Sequence, residues 1–338
     1  MKHVNNFLIG DSGERFWRTM LGDKATDKIL VIKHGALGDI VQGLDAFASL
    51  RAGNPQARIT LMTSPGFVSL AEMMPWFDDV VTDPRASPIN FVASLRIRHH
   101  LRRNWSVIVD MQCSGRTRRY FSHFRLPTTR WIGTAPSCSD PLPEFKGVNN
   151  RLRMMKAAEM AGGMDQAADM VWLLSDKDGV DKRWRVDPAH RYAVLVPGCS
   201  LAKPQKRWPA KYFAAVGNDL LARGVRVYVV GTAGDRRAID CVLADAPEIT
   251  DLCGKTNLSE LGRLLCDASY VIGNDTGPVF LAAKTGTPTL MMMGPDTDPA
   301  MSAPNGIAAS WLRATPISGI TVTAALASLY NLCGSTKS

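Results

Sequence analysis

Apolar residues along this chain fall in short unbroken runs separated by longer amphipathic stretches. Lys28 to Lys33 (KILVIK) is a run of strand length, followed by a glycine-bearing turn at His34 to Asp39 and a helical period from Ile40 to Arg51. Arg58 to Thr63, Val80-Val81 and Ser106 to Met111 read as further strands, with helices running on to Met74 and over Ile89 to Arg103. A second series opens at Tyr192 to Val196 and continues through strands at Val225 to Val230, Tyr270 to Ile272 and Thr289 to Met293. Helical periods at Pro209 to Arg223, Asp235 to Ala244, Leu258 to Cys266 and beyond Pro278 fill the gaps between them. Buried strands alternating with helices predict α/β domains with doubly wound parallel sheets.

The pattern divides the chain. Residues 1–27 precede the first series as an extra helix or arm, 28–175 form a first domain, and 192–315 form a second. Between them, residues 176–191 are charged and contain Pro188, which marks a linker. Residues 316–338 carry a final helical period, Val322 to Leu332. In open parallel sheets ligands bind at the C-terminal edges of the strands, so the turns after the strands carry the candidate chemistry.

The most informative turn is Gly273-Asn274-Asp275-Thr276-Gly277-Pro278. Pro278 suits a first helical turn, where its missing N–H costs nothing. Strand, glycine-bearing turn and helix N-terminus together make an anion site, with phosphate the natural ligand. The Thr276 hydroxyl and the Gly277 amide are the best-placed contacts. Asp275 would repel a diphosphate, so it orients the turn or reaches a sugar hydroxyl. The plainer reading is ordinary helix capping.

Three other turns stand out. HGALGD places Gly35, Gly38 and Asp39 after the first strand, in neither a dinucleotide fingerprint nor a Walker A spacing. Asp39 reads as a helix cap or as a carboxylate at the cleft edge. PGCSLAKPQKRWPAKYF, residues 197–213, brings Ser200, Lys203, Lys206 and Arg207 ahead of a helix. GTAGD ends at Asp235, which either caps its helix or meets a ribose.

Taken together, these motifs resemble those of glycosyltransferase family 9, the ADP-heptose:lipopolysaccharide heptosyltransferases. The resemblance runs over roughly residues 28 to 300. It rests on G-x-x-G-D at Gly35–Asp39, K-R-W-P at Lys206–Pro209, and the string from DLCGKT through GNDTGP and LAA to GPDTDP in residues 251–299. It implies a GT-B arrangement, two Rossmann-like domains facing a central cleft, with the final helix returning to the first domain. It further implies Asp39 as general base and Lys206 at the donor phosphates. Gly38, Ser200, Asp235, Asp275, Thr276 and Gly277 are implied on the donor side, although the longer loop leaves the Ser200 role open. VIVDMQCSGRTRRY resembles the family's D-x-Q strand end, which implies Gln112, Arg116, Arg118 and Arg119 as acceptor contacts. The sequence departs from the pattern at Phe280, where family members commonly carry His; a phenyl ring cannot hydrogen-bond phosphate or sugar.

Composition narrows the partners. The 338 residues carry a net charge of +9, with 46% hydrophobic and 21% charged residues. Between residues 96 and 130 stand nine arginines, with Asp110 the only acid. Such a surface seeks a polyanion. No nucleic-acid motif accompanies it, which favours an acidic lipid or sugar-phosphate partner over nucleic acid; the resemblance implies an acidic lipid-linked oligosaccharide as acceptor, and an anionic inner-membrane surface is a further candidate. No run approaches the length of a membrane span, and MKHVNNFLIGDSGERFW lacks the apolar core of a signal peptide. Seven scattered cysteines without a C-x-x-C fit a reducing compartment. A cytoplasmic enzyme is therefore expected, peripheral at the inner membrane if the acceptor is lipid-anchored.

The expected activity is inverting, metal-independent transfer of a heptose from an ADP-sugar to the lipopolysaccharide inner core, with no cofactor. Two alternatives stand beside it: a relative using another nucleotide sugar and acceptor, and a non-catalytic nucleotide-sugar-binding protein.

Overall fold

The computed structural model describes residues 27–87, 90–143, 147–174, 191–200 and 203–334. The expected N-terminal arm (apart from Asp27) and nearly all of the linker at 176–191 lie outside them.

The first domain is a six-stranded sheet formed by β1 (Lys28–Ile32), β2 (Arg58–Thr63), β3 (Asp79–Thr82), β4 (Val107–Asp110), β5 (Arg130–Gly133) and β6 (Asp140–Pro141). Its helices are α1 (Leu37–Val41), α2 (Leu44–Gly53), α3 (Val68–Met73), α4 (Phe91–Leu101), α5 (Gly115–Phe124) and α6 (Asn150–Met160). The short α7 (Val171–Leu174) leads toward the second domain and packs on its helix α10 (Leu258–Cys266). That domain contains β7 (Tyr192–Val196), β8 (Arg226–Val229), β9 (Thr250–Asp251), β10 (Tyr270–Asn274), β11 (Thr289–Met293) and β12 (Ala309–Arg313). Its remaining helices are α8 (Ala210–Ala222), α9 (Arg236–Asp245), α11 (Gly277–Lys284), α12 (Pro299–Ser302) and α13 (Val322–Gly334).

The strand orders are β3-β2-β1-β4-β5-β6 and β12-β11-β10-β7-β8-β9, and every pairing is parallel. Apart from the exposed Lys28, every residue of β1, β7, β10 and β11 is buried, as sheets covered on both faces require. Both sheets thus have the doubly wound order, with reversal points between β1 and β4 and between β7 and β10.

Two expectations are corrected. The helix read from Ile40 starts earlier, at Leu37, and breaks at Gln42-Gly43 before resuming at Leu44. A Cβ on Gly43 would lie 3.1 Å from the Phe47 ring and 3.2 Å from the Met154 sulfur, so the glycine admits α6 at that break. The final helix does not return to the first domain. It packs on α8, β11 and β12, with Ala325 and Leu329 buried in the second domain's core, because its apolar face matches that sheet.

One core cluster runs from the first sheet through Phe280 and Val279 into the second, joining the domains. A separate cluster on the other face of the first sheet holds α4 and α5 through Ile97, Leu101, Tyr120 and Phe121. No helix among the described residues is long and apolar enough to cross a membrane.

Candidate active site

The motif-bearing turns leave their sheets at the two reversal points. HGALGD follows β1, QCSGR follows β4, PGCS follows β7, and DTGP follows β10. Gly35 sits at φ +121°, and a Cβ there would lie 2.3 Å from the Phe67 ring, so only glycine fits this turn.

Asp39 is not a cap. Ala36 occupies the N-cap and Asp39 the third helical position of α1. Its Oδ1 accepts a hydrogen bond from Asn150 Nδ2 at 3.4 Å, and Arg153 Nη2 donates to the side-chain Oδ1 of Asn150 in turn. Below lies Lys33, 1% exposed; burial lowers its pKa and the nearby Asp39 charge opposes that shift. Lys33, Asn150 and Arg153 were not singled out in the sequence, because Asn150 and Arg153 arrive from over a hundred positions away and Lys33 reads as the end of a strand.

In the second domain, Asn274 is fully buried and organises the donor-side lip. Its Oδ1 accepts from the Trp208 amide at 2.9 Å and its Nδ2 donates to Pro197 O at 2.8 Å. Trp208, 2% exposed, donates through Nε1 to Ile320 O at 2.9 Å. The K-R-W-P segment is thereby docked against β10, and Lys206 pairs with Asp275 Oδ2, which also accepts from Thr297 Oγ1 at 2.7 Å. Asp275 thus orients the lysine. Thr276 is the N-cap of α11, its hydroxyl makes no capping bond, and Pro278 stands in the first turn.

A cavity of about 480 Å³ opens beside the first turns of α1 and α11, and Asp39, Lys206 and Asp275 do not line it. Gly38, Asp235, Thr276 and Gly277 line it, with Val196, Val230, Leu258 and Leu261 as an apolar wall. That shape, apolar with a few convergent polar groups, suits a nucleotide base and its phosphates. Asp235 is the N-cap residue of α9 but makes no side-chain capping bond to that helix. Its Oδ2 accepts from Thr232 N at 2.9 Å and Thr232 Oγ1 at 2.8 Å in a capping box, while the residue faces the cavity.

Other expected contacts are elsewhere. Ser200 is exposed and does not line this cavity. Gln112 Oε1 accepts from the His34 amide at 3.0 Å, securing the turn after β1. Arg116 donates to Arg85 O at 2.9 Å and Ala86 O at 3.0 Å, and with Arg119 lines a separate cavity of about 210 Å³ between α4 and α5. Arg118 is exposed on α5. Phe280 does not reach the donor cavity either: it is 6% exposed and packs between the domains against Gly38.

The chain is similar to known proteins in sequence and in fold. Residues 150–315 match the family model described as glycosyltransferase family 9 (heptosyltransferase). The lipopolysaccharide heptosyltransferase 2 of Escherichia coli K12 is 22% identical over 305 residues, covering 80% of this chain and 83% of that protein. Just under half of the chain thus matches glycosyltransferase family 9. A lipooligosaccharide heptosyltransferase 2 from Haemophilus influenzae is 31% identical over 122 residues, where the chain spans only 35% of that relative. Among solved structures, a glycosyl transferase family 9 protein from Veillonella parvula superposes with TM-score 0.77 at 17% identity, covering 90% of this chain and 97% of the other. The E. coli ADP-heptose heptosyltransferase II gives 0.72 at 18% identity, over 92% and 100%. The two facing domains are therefore the GT-B fold, and the protein is a glycosyltransferase.

Proposed function

We propose that this protein transfers a heptose from ADP-heptose to the inner core of a lipid-anchored, acidic lipopolysaccharide acceptor. The observation that carries the reading is the pairing of two helix N-termini across the cleft: α1 bearing Asp39 on one lip, α11 beside Lys206 on the other. Relatives named for lipopolysaccharide heptose transfer supply the substrate class.

In this reading Asp39 takes the proton from the acceptor hydroxyl as its oxygen attacks the anomeric carbon from the face opposite the leaving group. The bond to ADP breaks on the other side, giving inversion. Charge gathers on the departing diphosphate, where the Lys206 ammonium, the Thr276 hydroxyl and the α11 amides at Gly277 stabilise it without a divalent ion. Asn150 and Arg153 hold the Asp39 carboxylate in position. Acidic groups of the acceptor meet Arg116, Arg118 and Arg119, at the cytoplasmic face of the inner membrane.

Calorimetry against a panel of nucleotide sugars tests the reading: tightest binding of ADP-heptose supports it, and binding of only a non-heptose nucleotide sugar overturns it.

A further inference from the structure

Helix α4 carries a face that the proposed chemistry does not use. At 100° per residue, Phe91, Leu95 and Arg98 stand in one row that the C-cap Arg102 continues, flanked by Val92 and His99; Arg96 stands further round the helix and Arg103 follows its end. All eight are exposed, whereas Ile97 and Leu101 on the opposite side are 3% and 0% exposed and pack into the core. Of eight large apolar residues exposed among the described residues, three lie here: Phe91 at 72%, Val92 at 60% and Leu95 at 45%.

The helix itself carries no acid; of the arginines named, Arg103 feels the Asp79 carboxylate. No acid stands between Asp83 and Asp110, and none of Arg96, Arg98, Arg102 and Arg103 has a salt-bridge partner among the described residues. Apolar residues at the helix start, followed by arginines along the same stripe, match an anionic lipid surface. The rings and methyls enter the acyl boundary and the guanidinium groups meet phosphates. A protein partner of acidic character would match the arginines and leave the apolar end unexplained.

Position supports the same occupant. The helix starts beyond the C-terminal end of β3, so its apolar end lies at the cleft edge of the sheet. It covers the sheet face remote from the second domain, and the cavity holding Arg116 and Arg119 opens on its flank.

We propose that the outward face of α4 docks this enzyme on anionic phospholipid, with Phe91, Val92 and Leu95 inserted and Arg96, Arg98, Arg102 and Arg103 on the head groups. The inference deepens the proposed function by giving its lipid-anchored acceptor a defined approach, and its test needs neither donor nor acceptor.

Purified protein is sedimented with phosphatidylcholine vesicles with and without phosphatidylglycerol. Binding that requires phosphatidylglycerol and weakens with salt is expected. The pairs Phe91→Ser with Leu95→Ser, and Arg98→Glu with Arg102→Glu, are each expected to lower apparent affinity by about tenfold or more at an unchanged melting temperature. Wild-type protein that ignores phosphatidylglycerol overturns the proposal. So do variants that sediment like wild type, and so does a salt-sensitive affinity for oligonucleotide that exceeds the affinity for vesicles and is lost in the arginine pair. Failure here with intact heptosyl transfer would remove the docking face alone.

Discussion

Gly277 and Gly38 meet where the two domains touch: a Cβ built on Gly277 would lie 3.0 Å from the Gly38 nitrogen and 2.6 Å from Leu37 Cβ. The first turns of α1 and α11 are therefore in backbone contact, and the catalytic lips are spaced by the absence of two side chains. Gly277→Ala is expected to push the domains apart, lowering stability by about 1–3 kcal/mol, as overpacking does. Denaturant unfolding together with donor affinity checks this; unchanged values for both would mean the contact does not set the cleft.

Lys206 and Asp275 act as one unit. Lys206→Ala is expected to lower kcat by about a hundredfold to a thousandfold, the usual effect of removing a transition-state charge donor. Asp275→Asn should lose part of the same effect, and the double variant should be little worse than Lys206→Ala. Steady-state kinetics over the four-member cycle reads the coupling, and additive losses would separate the two residues.

If Lys206 and the α11 N-terminus meet the diphosphate charge, a chelator should leave turnover unchanged. Loss of activity with EDTA, restored by a divalent ion, would contradict that assignment.

Asp110 gives a pH signature. Its carboxyl is fully buried; Oδ1 accepts from Gln112 N at 3.1 Å and Cys113 N at 2.8 Å, while Oδ2 has no partner among the described residues. Burial raises its pKa above the ordinary 3.8. The folded state then binds the proton more tightly than the unfolded chain, so stability falls as pH rises from about 3.8 through the raised folded pKa. Asp110→Asn keeps the Oδ1 acceptor and should flatten that fall, making the variant relatively more stable at neutral pH. Melting curves across the acid-to-neutral range would reveal it; a parallel pair of profiles would show that Asp110 does not titrate there.

The parts of the site that were legible in the sequence are those built from consecutive residues. The strand, glycine turn and helix start at Gly273–Pro278 announce themselves locally, and so does G-x-x-G-D. What was not legible depends on partners far along the chain. Asn274 is useful because Trp208, 66 positions away, brings its amide to it, and Trp208 is fixed by Ile320, 112 positions away. Phe280 reads as a donor-facing position by motif, yet it is buried, because Gly38 of the other domain leaves room for its ring. The first-domain arginines were visible as a charge excess, but the split between Arg116, held by two carbonyl groups, and the exposed row on α4 follows only from helix packing.

The central claim is that Asp39 is the base for heptose transfer. The direct measurement follows ADP release and acceptor mass for wild type and Asp39→Asn with ADP-heptose and a heptose-deficient inner-core acceptor, with donor affinity measured on both proteins. The expected result is heptosylated product from wild type, a fall in kcat of about a hundredfold to ten-thousandfold in Asp39→Asn, and donor affinity kept. Wild-type protein that binds donor without making product, or an Asp39→Asn variant that turns over like wild type, would contradict it.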